Sequence, residues 1–147
     1  MAGKVVHISA MTHTGTDDKD RDNGVDVSIV TAKNEIIWSV TDFGKGLVYR
    51  NGDDNGWDLP TTRPVSLDEL TGGTFWVTMS GDDGRWIAAF SAIAFTDDGA
   101  QFQLLSKTPY WGFASGHNDT HSAGLTVNQT SNAKRAQMPM KRNPKST

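Results

Sequence analysis

The chain predicts an all-β fold, an antiparallel β-sandwich, and three observations predict it. Short runs rich in β-branched and aromatic residues recur along most of its length. Turn dipeptides separate nearly every pair of them: Asn23-Gly24, Asn51-Gly52, Asn55-Gly56, Gly72-Gly73, Asp83-Gly84 and Asp98-Gly99. Only Ser66-Leu67-Asp68-Glu69-Leu70 resembles a helix start, and it spans one turn at most. Many short strands with this punctuation argue for two packed sheets.

Taken in order, Lys4 to Thr12 alternates in part, with Val6, Ile8 and Ala10 on one side and Val5, His7, Ser9 and Met11 on the other. Val25-Asp26-Val27-Ser28-Ile29-Val30 alternates more cleanly, and Val25, Val27 and Ile29 share a face. Glu35 to Val40 follows the turn-like Lys33-Asn34. Thr74 to Met79, Arg85 to Phe90, Ile93 to Thr96 and Gln101 to Leu105 come next, and Gly124-Leu125-Thr126-Val127 closes the expected set of eight strands. Trp38, Trp76 and Trp86 fall within strands and read as core or sheet-face residues. After Val127 the hydrophobic periodicity is lost. Pro139, Pro144, Asn, Gln, Ser and basic residues dominate, so residues 1–127 are expected as the sandwich and 128–147 as a disordered tail.

At 147 residues the chain fits one domain with a workable core. It has no cysteine, which removes disulfides, thiolate metal sites and thiol catalysis together. No stretch approaches the roughly 20 apolar residues of a membrane span. The start, Met1-Ala2-Gly3-Lys4, has no hydrophobic signal core, so the expectation is an intracellular protein, or a secreted or peripheral-membrane one whose signal has been removed. The net charge of −3 is unevenly placed. Residues 128–147 hold five basic residues and no acid, leaving 9 basic against 17 acidic residues in the body. An acidic body argues against binding nucleic acid through its surface.

The densest charge lies in Gly15 to Asp26, where Asp17, Asp18, Asp20, Asp22 and Asp26 share one loop. Two charges about 7 Å apart repel by about 0.6 kcal/mol in water, so such a loop is tolerable as solvated surface. Lys19 and Arg21 offset part of the repulsion. A hard cation would stabilise it, and oxygen-rich sites of Asp, Asn and backbone carbonyl are what calcium selects. Such loops are also common simply because Asp, Asn and Gly favour turns. An EF-hand does not fit. Counting from Asp18, the glycine position holds Asn23 and the twelfth holds Ile29.

Further acidic loops follow at Asn51 to Asp58, Gly81-Asp82-Asp83-Gly84 and Asp97-Asp98-Gly99, the last reading as an ordinary hairpin turn. Loops of a sandwich gather at two ends, so the first two or three acidic loops would converge if they share one. Trp57 lies in a polar run, where it reads either as an interfacial anchor or as a lid folded onto the core. Tyr110-Trp111-Gly112-Phe113 reads as an exposed aromatic patch able to enter lipid or dock a partner. His117 and His121 have the spacing of a zinc pair, but the run between them is not helical and carries no metal signal. No Gly-x-Ser-x-Gly elbow appears and nothing singles out a pair of acids, so no enzyme is expected.

The order of elements resembles the PLAT family, and within it the C-terminal domain of clostridial alpha-toxin-type phospholipases C. The resemblance runs over roughly residues 4 to 127. It rests on Thr14-Gly15, on Asp22 to Ile29 as an acidic loop entering a strand, and on Asn55-Gly56-Trp57-Asp58. The Ser66 to Leu70 turn and Thr74 to Val77 ahead of Arg85-Trp86 and Ala89-Phe90-Ser91 complete it. It implies an eight-stranded sandwich that docks on membranes or proteins, often with calcium in the loops at one end. Carried over, the ligands are Asp22, the Gly24 carbonyl and Asp26, and the wider candidate set adds Asp20, Asp53, Asp54 and Asp83. One departure is plain: Ala92 and Ile93 follow Phe90-Ser91, where the phospholipase domains place an acid.

The expected function is a non-catalytic, calcium-assisted module for membrane surfaces or lipid headgroups, with Trp57, Tyr110, Trp111 and Phe113 as its contacts. The alternative is a calcium-independent protein- or glycan-interaction module. A variant of either reading makes the chain the targeting half of a system, with a protein partner or a catalytic part on a separate chain.

Overall fold

The structure is a computed structural model that describes residues 3–17, 19, 23–43, 48–80, 85–114 and 119–130, with the backbone alone at 42 and 43. Two antiparallel sheets form a sandwich. The strands are β1 (Val5–Thr14), β2 (Gly24–Val30), β3 (Ile36–Phe43), β4 (Asp54–Val65), β5 (Thr74–Ser80), β6 (Trp86–Thr96), β7 (Gln101–Leu105), β8 (Trp111–Phe113), β9 (Asp119–Gly124) and β10 (Asn128–Thr130). One four-residue helix, α1 (Leu67–Leu70), precedes β5. The larger sheet runs β10-β7-β6-β1-β4, with β8 sharing the β7 edge of β6. The smaller runs β3-β2-β5-β9.

Ten strands among the described residues replace the expected eight, for identifiable reasons. The expected strands Arg85 to Phe90 and Ile93 to Thr96 merge into one continuous strand, β6, which starts at Trp86. The run Asn51 to Asp58, expected as an acidic loop, keeps only its first residues as a turn. From Asp54 it is β4, whose Pro60 and Pro64 are tolerated because it lies at the sheet edge. Gly124 only ends β9, and Leu125 to Val127 is not a strand. There the chain leaves the smaller sheet, Leu125 N–H donating to the Gly73 carbonyl and Thr126 N–H to that of Leu104. β9, just before it, is built of Thr, Ser, His and Ala, whose small polar side chains hide the alternation. β10 pairs with β7, so the sandwich takes in Asn128 to Thr130 beyond the boundary read from composition.

The core faces follow the strand period of two, with one slip. Val25, Val27 and Ile29 of β2 are fully buried, as their alternation requires. In β1, Val5 and not Val6 joins Ile8 and Ala10 inside. The ladder with β6 steps from Val5↔Thr96 to His7↔Phe95, a bulge that inserts Val6 and reverses the parity before it. Trp38, Trp57, Trp86, Phe75 and Phe90 fill the space between the sheets. The indole N–H of Trp86 donates to Thr14 Oγ1 at 3.0 Å and that of Trp38 to the Leu59 carbonyl at 3.2 Å.

β1, β3, β5 and β8 finish at the same end at which β2, β4, β6 and β9 begin. The registers His13↔Asp54, Thr14↔Ala88, Gly24↔Ser80, Val25↔Phe43, Met79↔Asp119 and Trp86↔Phe113 fix this. The connections 15–23, 44–53, 81–85 and 114–118 therefore all leave and re-enter the sandwich at one end. The opposite end carries the β2–β3 and β6–β7 hairpins, with positive φ at Asn34 and Gly99, together with α1.

Candidate functional site

Two of the carried-over calcium ligands can be placed. Gly24 opens β2, and its carbonyl accepts from Ser80 Oγ at 3.5 Å. Asp26 sits between the buried Val25 and Val27 and so faces outward from the smaller sheet, level with Thr78. Asp53 accepts from Arg50 N–H at 3.1 Å and shapes the turn into β4. Asp54 faces outward from the larger sheet, where its carboxylate lies 2.6 Å from His13 Nδ1. Asp26 and Asp54 thus stand on opposite outer faces of the sandwich, and the structure does not bring these two together. Asp20, Asp22 and Asp83 lie outside the described residues, as does His117. Among the described residues no three His, Asp or Glu side chains gather to hold a metal ion.

The first acidic segment does contain a cation of its own. Lys19 is fully buried, and its Nζ donates to the Asn23 carbonyl at 2.8 Å. The ammonium also lies 4.7 Å from the centre of the Tyr49 ring, an attraction to the negative face of the aromatic. Lys19 and Tyr49 exchange both backbone hydrogen bonds, at 3.0 and 3.1 Å, which ties the two connections together. Tyr49 packs on Trp86 with ring centres 5.7 Å apart, and burial pushes its phenol above the usual range. Asn23, also fully buried, donates from Nδ2 to the Ser80 carbonyl at 3.2 Å. Sequence reading treated Lys19 as a partial offset of charge. Its burial has no signal in the local pattern, because the ring that receives it lies thirty residues further on.

The four aromatic contact candidates separate. Trp57 is fully buried in β4, so it is a core residue and not an exposed anchor. Phe113 is buried as well, stacked against Trp86 with ring centres 5.3 Å apart. Burying such rings is worth far more than leaving them wet, which is why the sandwich recruits them. Trp111 is half-buried, between Phe90 at 5.6 Å and the His121 ring, stacked at 5.4 Å. His121 donates to the Gly112 carbonyl at 2.7 Å and so closes the sandwich edge between β8 and β9. Only Tyr110 is exposed, at 48%.

Tyr110 borders a recess on the outer face of the larger sheet. A cleft of about 390 Å³ is lined by Tyr110, His13, Gly15, Thr16, Gly52 and Ile87. A hollow of about 150 Å³ continues on the other side of His13, bounded by Met11, Asp54, Ser91 and Lys107. Lys107 Nζ lies 5.2 Å from the Tyr110 ring centre, and the His13 ring 6.2 Å from it. Gly15 allows this closeness: a Cβ there would stand 2.9 Å from the tyrosine ring. The site therefore offers one aromatic face, one cation and one carboxylate–imidazole pair around a shallow, open space. His13 and Lys107 carry no sequence signal of their own, since β1, β4 and the β7–β8 connection meet only in the fold. No family model matches the chain, and no curated protein matches it either.

Proposed function

We propose that this chain is a non-catalytic docking module that binds a polar partner without calcium, through the Tyr110 cleft. The observation that carries the reading is the cleft itself, an exposed aromatic flanked by Lys107 and by the His13–Asp54 pair. A large rigid ring beside polar groups of both signs is the usual composition of a recognition surface. The buried Lys19 ammonium supports the calcium-free version, because it supplies positive charge within the acidic segment.

The calcium-assisted lipid reading keeps one specific support: the acidic connections 15–23, 44–53 and 81–85 share an end of the sandwich. Thermal melting under a calcium titration, with EGTA as control, separates the two. The expected result is an unchanged melting temperature. A ligand at 100-fold its dissociation constant adds about 2.7 kcal/mol of stability, so a calcium-dependent rise would overturn the proposal. Sedimentation with phosphatidylserine vesicles is expected to be weak and equal in calcium and in EGTA.

A further inference from the structure

The outer face of the smaller sheet carries a second surface, independent of the Tyr110 cleft. Trp76 lies in the centre of β5, between the core residues Phe75 and Val77, and so points outward with 41% of its surface exposed. A tryptophan left this open in the middle of a sheet forgoes a substantial part of its burial free energy. Its neighbours are hydroxyls. The registers Ser28↔Ser39, Ser28↔Trp76 and Trp76↔Ser122 place Ser39, Ser28, Trp76 and Ser122 in one row across all four strands. The next row holds Asp26, Thr78 and Thr120, with the two threonine hydroxyls 2.8 Å apart. Strands lie about 4.8 Å apart, so the row spans about 14 Å, and rows on one face are about 7 Å apart.

We infer that this face is a binding platform for a neutral glycan chain, with Trp76 as the stacking surface. Three features choose the occupant. Asp26 is the only charge among the described outward positions of β2, β5 and β9, so a phosphate, sulfate or nucleic-acid ligand would meet no cation. A second copy of the chain would need a contiguous apolar patch for the centre of a stable interface. Trp76 instead stands among hydroxyls, and the other exposed large apolar side chain described in this sheet, Ile36, lies one row on and two strands away. A sugar ring supplies the complement: polarised C–H bonds on one face for the negative π face of the indole, and hydroxyls at its rim. Serine and threonine both donate and accept, so they satisfy such a rim whichever way each hydroxyl turns. A row of about 14 Å suits the length of a polysaccharide better than a free monosaccharide.

The test is native gel electrophoresis of the full chain through hydroxyethylcellulose, xylan and galactomannan, each against a gel without polysaccharide. Wild type is expected to be retarded in at least one. Trp76→Ala should weaken that retardation by about tenfold or more, as loss of an aromatic anchor does, while Trp76→Tyr keeps most of it. Ser122→Arg, at an exposed position in the same row, should also abolish it and guards against a folding defect in the alanine variant. Tyr110→Ala should leave retardation unchanged. No retardation in any of the three gels, or retardation that survives Trp76→Ala, overturns the inference. Loss in Tyr110→Ala with Trp76→Ala intact also overturns it, and moves glycan binding to the cleft, whose reading then stands.

Discussion

Lys19 shows what a single side chain does to the reading of this molecule. A fully buried ammonium is tolerated only when its charge is met, and the Asn23 carbonyl and the Tyr49 ring meet part of it. Replacing it with methionine keeps the stem but removes the donor, leaving the Asn23 carbonyl short of a partner. Lys19→Met is expected to lose about 1–3 kcal/mol in urea unfolding. A loss indistinguishable from zero would show that the ammonium is not integral to this end. Trp57 and Trp76 make the complementary point about legibility. Both stand in strands, and composition alone gives them equal weight. The alternation Phe75-Trp76-Val77 carries the information that Trp76 faces away from its neighbours, whereas which face lies inside depends on the sheet opposite. Trp57 had no such frame, because the acidic and glycine-rich residues around it disguise β4 as a loop.

Among the elements, the short helix α1 is held by more than its own turn. Ser66 Oγ accepts from Glu69 N–H at 3.2 Å, and Glu69 Oε2 accepts from Ser66 N–H at 2.8 Å, a reciprocal cap. Arg63, from β4, then bridges Glu69 at 2.7 Å and Glu35, ahead of β3, at 2.7 Å. The guanidinium holds both carboxyls below their ordinary range, Glu69 at about 2. Because these folded-state values are depressed, the clamp contributes fully at neutral pH. Its contribution falls as pH drops below the ordinary value of 4.5 toward 2. The melting temperature of Arg63→Met should therefore lie below that of wild type at pH 7, and the gap should narrow steadily in acid. All three groups are largely exposed, so the gap is expected to be small. A gap that is constant with pH would exclude the clamp as its source. The cap was visible in the sequence as Ser66-x-x-Glu69. The clamp was not, since Glu35 and Arg63 are brought together only when β2–β3 and β4 pack.

At the scale of the whole molecule, the sandwich was legible because its cause is local: period-two hydrophobicity and turn dipeptides, repeated. The pairing was not, because most ladders join strands distant in sequence. β1 pairs with β4 and β6, and β5 pairs with β2 and β9; only β2–β3 and β6–β7 are tight hairpins. Loop closure must precede these non-local contacts, so stopped-flow refolding is expected in the range of milliseconds to seconds. Microsecond refolding would contradict this pairing order. The cleft and the Trp76 platform share that distance. Each gathers residues from three or four strands, and neither leaves a contiguous motif.

The gathering of four connections at one end has a consequence for how this chain can change. The connection 81–85, or the stretch of 44–53 ahead of Tyr49, can lengthen or shorten without moving any ladder by a residue, since each joins strands whose partners lie elsewhere. The β2–β3 hairpin has no such freedom: one residue gained at Lys33-Asn34 and passed into the ladder would turn the β2 or β3 face inside out. Variation in length is therefore permitted in the Lys19-end connections and resisted at the two hairpin turns of the opposite end. A library of insertions scored for folding should come out lopsided along the long axis of the sandwich.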